Sequence, residues 1–175
     1  MEKNLIAKAS TTIDASIEKV SDALVNPKMI KKYMFGSTVS SDWKKGEIKW
    51  KGVHEEKKYE DKGKILEIKL ESVLKYTHYS PLSGKEDIPK NYNTVTIKLS
   101  DKKDGISVVL TQDNNTNEKA LKQSEKNWNA MLDGLKELLE KQRACEKPAA
   151  NKSIAKSGAE GRSIGCKSLL HSIRA

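Results

Sequence analysis

From Ser37 to Gln112 the chain alternates apolar and charged residues with the period of a β-strand, and from Asn115 onward the apolar residues recur with the period of a helix. That switch limits the fold more than any other feature. The segment GEIKWKG sets Ile48 and Trp50 against Lys49 and Lys51, and GKILEIKLES sets Leu66, Ile68 and Leu70 against Glu67, Lys69 and Glu71. VLKYTHYS, TVTIKLS and ISVVLTQ come next, with Asp61-Lys62-Gly63 and Asp104-Gly105 reading as turns. Alternation this regular predicts an antiparallel sheet with one face in water and the other covered. The lysines around Trp50 then belong to the wet face, and Trp50 points the other way.

The cover is the last long element. Leu121, Trp128, Met131, Leu132, Leu135, Leu138 and Leu139 form a broad apolar stripe on one predicted helix, with Asn115 and Glu118 placed as a capping box. Before the strands, Leu5 to Ile13 alternates as a further strand, Ser16 can cap a helix carrying Ile17, Val20, Ala23 and Leu24, and Asn26-Pro27 ends it and starts another with Met29, Ile30, Tyr33 and Met34. The predicted order is strand, two helices, a meander of strands and a long helix. An amphipathic helix lying across a curved meander satisfies both apolar faces.

At 175 residues, the chain fits a single domain that can bury a core without metals or disulfides. The formal charge of +9 suggests nucleic acid until its distribution is read. Met1 to Lys141 holds 26 Lys and no Arg against 22 acidic residues, whereas Gln142 to Ala175 holds 7 basic and 2 acidic residues. A body without Arg lacks the planar fork that reads bases, so no nucleic-acid partner is expected. The last segment also holds both cysteines and none of the nine aromatic residues. Residues 1–141 are therefore read as the domain, and 142–175 as a basic tail, either a disordered extension or a segment foreign to the domain. No apolar run suits a signal peptide or a membrane span, which predicts a cytoplasmic protein with no membrane partner.

Catalytic and metal motifs are missing. His54, His78 and His171 are scattered, Cys145 and Cys166 lack CxxC spacing, and there is no GxSxG elbow, P-loop or dinucleotide fingerprint. Asp42, His54, Glu55 and Glu56 read as surface groups. No cofactor, no metal and no catalytic residue are expected.

The ordered pieces IDASIEKVSDALVNPKMIKKYM, DWKKGEIKWKG, KGKILEI, LKYTHY, NTVTIKL, DGISVVLTQ and WNAMLDGLKELLE resemble the activator of heat-shock protein 90 ATPase-like family, within the START-like, birch-pollen-allergen-like superfamily. The resemblance implies an α+β helix-grip fold, β-α-α-β(5-6)-α, whose curved sheet wraps the C-terminal helix. It also implies a cavity between them for a lipid-, sterol- or polyketide-like molecule. Alternation and the resemblance together nominate Tyr33, Met34, Trp50, Tyr76, His78, Trp128, Met131, Leu132 and Leu135 as cavity residues. Three functions are consistent with this: binding of a small hydrophobic ligand by a monomer, docking on a chaperone, or a polyketide cyclase-like enzyme using His78 or Tyr76. Co-chaperones of the family carry a further N-terminal domain, so stimulation of a chaperone is not expected from this sequence. The connection SPLSGKEDIPKNYN, residues 80–93, reads either as a lid at the cavity mouth or as a surface insertion.

Overall fold

The structure of the protein is a computed structural model that describes residues 5–146. Seven antiparallel strands form one curved sheet: β1 (Leu5–Ile13), β2 (Thr38–Ser41), β3 (Glu47–His54), β4 (Lys57–Lys69), β5 (Val73–His78), β6 (Asn93–Lys102) and β7 (Gly105–Asn115). Their spatial order is β1-β7-β6-β5-β4-β3-β2, a meander closed on one side by the first strand. Three helices, α1 (Ile17–Val25), α2 (Pro27–Tyr33) and α3 (Glu118–Glu146), cover the concave face. The structure has the helix-grip architecture that the resemblance implies.

Local chemistry accounts for the helix boundaries. The Ser16 side chain accepts from the Lys19 amide to cap α1. Asn26 ends that helix and caps the next by accepting from the Lys28 amide, with Pro27 in its first turn. The cap of α3 differs from the sequence expectation. Asn117 Oδ1 accepts from the Ala120 amide at 2.8 Å, whereas Asn115 is the buried last residue of β7 and donates to the Leu5 carbonyl at 2.9 Å. A side chain already committed to β1 leaves the cap to the next available Asn.

Two strand expectations are also corrected. Asp61-Lys62-Gly63 is no turn but the middle of β4, paired with Trp50, Lys49 and Ile48. The turn falls at Glu55 and Glu56, both with positive φ. Gly63 is small for a different reason: a Cβ there would fall on the Thr77 carbonyl oxygen. In the same strand, the register shifts between Ile65 and Glu67, so Leu66 is exposed at 42% while Ile65 is buried and Ile68 packs against the core; Leu70, exposed at 64%, lies past the strand end in the turn to β5. The extra residue of the bulge turns Leu66 outward and moves the inward phase from Ile65 to Ile68.

Ile13, Val20, Ile48, Val95, Val108, Leu110, Leu132 and Leu135 are fully buried between the layers. The backbone of α3 runs close to β1, β7 and α2. Toward β3, β4 and β5 the gap is spanned by side chains, chiefly Trp50, Tyr76 and Tyr33. The helix continues to Glu146, five residues past Lys141, where Glu146 pairs with Lys19, and Arg143 pairs with Asp14. The expectation for the rest of the tail concerns residues outside those described.

Residues 80–93 form a strap with two 3-10 turns, Pro81–Ser83 and Pro89–Asn91. The strap lies over the outer face of β3 and β4, where Asp87 pairs with Lys62.

Candidate ligand site

The register of β3 on β4 sets Trp50 opposite Asp61 on the concave face, and β5 adds Tyr76 and His78 two residues apart on that same face. The Trp50 ring packs on Tyr76 at 5.2 Å and meets His78 edge-on at 5.2 Å and 71°. His78 Nε2 lies 2.9 Å from Asp61 Oδ2. The other carboxylate oxygen, Oδ1, is buried and has no hydrogen-bond partner among the described residues. Only 13% of the Asp61 side chain and 25% of the His78 side chain meet solvent. An acid–imidazole pair thus stands in an aromatic wall, and one acceptor is left unused.

A second polar group closes the β7 side. Trp128 Nε1 donates to Gln112 Oε1 at 2.7 Å, and Gln112 Nε2 donates to Ser124 Oγ at 3.2 Å. The Ser124 hydroxyl donates to Asn115 Oδ1 at 2.8 Å. These bonds tie the first turns of α3 to the end of β7. Gln112 continues the buried phase of Ile106, Val108 and Leu110, so it faces the helix and not water.

All nine nominated side chains lie on the concave side. Tyr33, Trp50, Tyr76, Met131, Leu132 and Leu135 are buried in one packed cluster, and Met34 and Trp128 rest on its edge half-exposed. The Tyr33 hydroxyl donates to the Ala23 carbonyl at 2.9 Å. Burial raises the pKa of both Tyr33 and Tyr76 well above the ordinary phenol value, with the neighbouring Tyr76 adding to the effect on Tyr33. Both are neutral hydroxyls at any physiological pH.

Sequence reading missed Asp61, Gln112, Asn115 and Ser124. Gln112 was findable, because a polar residue in phase with three buried apolar ones needs a partner. Asp61 was hidden by its Asp-Lys-Gly context. His54, Glu55, Glu56 and Asp42 are exposed surface groups, as expected. Among the described residues no three His, Cys, Asp or Glu side chains gather as a metal site, and no helix is long and apolar enough to cross a membrane.

Comparison with known proteins agrees with this fold. The family model described as "Activator of Hsp90 ATPase homolog 1-like protein" matches residues 14–140. The solution structure of a protein from Cytophaga hutchinsonii is 57% identical, covers 82% of this chain and 99% of its own, and superposes with a TM-score of 0.72. At the level of fold alone, the Aha1 dimer from Colwellia psychrerythraea is 18% identical with a TM-score of 0.60, covering 77% of this chain and 96% of its own. CalU16 from Micromonospora echinospora is 18% identical with the same TM-score of 0.60, covering 81% and 88%. Among curated proteins none matches the chain. This chain belongs to the Activator of Hsp90 ATPase homolog 1-like family.

Proposed function

We propose that the protein binds an apolar small molecule bearing one hydrogen-bond donor, held on the concave face between the sheet and α3. The unpartnered Asp61 Oδ1 carries this reading. A buried acceptor left unsatisfied is unfavourable by about 1–3 kcal/mol, and a ligand hydroxyl or N–H would remove that penalty. Trp50 and Tyr76 supply the apolar wall beside it, a composition usual for small-molecule sites. Of the nominated residues, His78, Trp128 and Met34 are the partly exposed ones. Entry requires side-chain rearrangement, which the unbranched Met34 and Met131 accommodate readily. A lipid-, sterol- or polyketide-like molecule with a free hydroxyl has the required chemistry.

Binding, not catalysis, is the activity proposed. His78 has its carboxylate partner, but the neighbouring phenol of Tyr76 is held neutral by burial and offers no base. We place this binding protein in the cytoplasm as a monomer. Docking on a chaperone is the second reading, supported by family membership alone.

Tryptophan fluorescence during titration with naphthol, and with methoxynaphthalene as the donor-free analogue, tests the proposal. Naphthol should bind about tenfold more tightly, and Asp61→Asn should abolish that preference. Equal affinities, or an unaltered preference in Asp61→Asn, would rule the assignment out.

A further inference from the structure

The opposite face of the sheet carries a second concavity. A groove of about 410 Å³ lies between the outer surface of β3 and β4 and the strap, lined by Glu47, Lys49, Lys62, Lys64, Thr77, Asp87, Pro89 and Tyr92. Its volume is within the range of small-molecule sites. The sheet separates it from the concave face, because Lys49, Lys62 and Lys64 alternate with Trp50, Asp61 and Gly63.

The strap that forms one wall is firmly built. Tyr79 and Tyr92 stack at 5.3 Å, the Tyr79 hydroxyl donates to the Lys85 carbonyl at 2.7 Å, and the Tyr92 hydroxyl donates to Asp87 Oδ1 at 2.7 Å. Asn114 Nδ2 reaches across from β7 to the carbonyls of Lys90 and Tyr92. Asp87 completes the fastening on Lys62. A wall fixed in this way holds the groove open before anything enters it, which lowers the ordering cost of binding.

The charges inside are unequally used. Lys62 is occupied by Asp87, but Lys49 and Lys64 have no carboxylate within ion-pair distance among the described residues. Thr77 Oγ1 accepts from the Lys64 amide at 2.9 Å, and its own hydrogen has no acceptor among the described residues. Lys49, Lys64 and Thr77 therefore line the same groove as Tyr92 and Pro89. Glu47 and Asp87 offset part of the positive charge, so the lining favours one negative charge over several.

We propose that this outer groove is a separate binding site for a small, flat organic monoanion. Its carboxylate lies on Lys49, Lys64 and Thr77, and its unsaturated body lies against Tyr92 and Pro89. The site is independent of the concave-face ligand, and either can fail without the other.

The test is proton–nitrogen NMR of the full chain titrated with naphthoate and, separately, with naphthylmethanol as the neutral counterpart. Naphthoate should shift the amides of Lys49, Gly63, Thr77 and Tyr92 saturably, and the neutral alcohol should not. Raising salt from about 20 to about 300 mM should weaken naphthoate several-fold. The double variant Lys49→Gln/Lys64→Gln should lose about tenfold in affinity, and a matching wild-type spectrum elsewhere would show that the fold is intact. No shift at saturating naphthoate, shifts confined to Trp50, Tyr76 and Trp128, equal binding of the alcohol, or full affinity in the double variant would each overturn the proposal.

Discussion

His78 Nε2 stands 2.9 Å from one oxygen of Asp61, and the second, buried oxygen of that carboxylate has no hydrogen-bond partner among the described residues. Among the described residues the imidazole is thus the one side-chain hydrogen-bond partner of a mostly buried acid. His78→Ala would leave both oxygens unsatisfied and should destabilise the fold by about 1–3 kcal/mol. Replacing both residues by Leu should be milder than the sum of the single changes, because an apolar pair leaves no orphaned charge. Urea denaturation of the four members of this cycle checks it; additive single effects would show that the pair is uncoupled.

Trp128 joins α3 to β7 through its indole N–H on Gln112 Oε1 at 2.7 Å. Trp128→Phe keeps most of the apolar contact but strands that oxygen, and a loss of about 1–2 kcal/mol is expected. Lys98→Ala on the exposed face should stay within about 0.5 kcal/mol. Thermal unfolding of the two variants side by side gives the comparison.

Two glycines should respond in opposite directions to Ala. At Gly63 the added Cβ meets the Thr77 backbone carbonyl, which cannot move without disrupting the β4–β5 pairing, so a loss of about 3 kcal/mol or more is expected. Gly134 lies inside α3, where the nearest atom to a new Cβ is Tyr33 Cβ at an ordinary 3.5 Å. Gly134→Ala should therefore stabilise the protein by about 0.5–1 kcal/mol. Denaturation midpoints of both variants would show the opposite signs.

Alkali should unfold the protein through its buried phenols. Tyr33 and Tyr76 have folded-state pKa values raised above the ordinary 10.0, so the unfolded chain ionises first as pH rises. Their contribution is complete below about pH 10 and is lost progressively above it. Tyr76→Phe, although less stable or unchanged near neutrality, should lose less stability than the wild type between about pH 9 and about pH 11. Parallel urea titrations across that range decide the point.

The sequence made the sheet and its cover legible because alternation and helical periodicity are strong over long segments. Trp50 was placed correctly by the lysines on either side of it. Asp61 was not, because Asp-Lys-Gly is a common turn composition and nothing local reveals that Gly63 is there to admit the Thr77 carbonyl. Leu66 misled for a related reason: the bulge between Ile65 and Glu67 shifts the inward phase, and period-two counting back from Ile68 assumes no such insertion. Asn115 looked like a helix cap until its partner on β1 was visible, a contact across 110 residues of sequence. The strap is held over the wet face by the Lys62–Asp87 pair and by Asn114, contacts between segments that no periodicity connects.

A donor-bearing apolar ligand beside Asp61 would perturb the indoles of the concave face, so the decisive measurement follows the indole N–H resonances of Trp50 and Trp128 while naphthol is added to wild type and Asp61→Asn. Both indoles should shift saturably in the wild type, with about tenfold weaker binding in the variant. Indoles that do not move in the wild type, or that respond identically in Asp61→Asn, would contradict it.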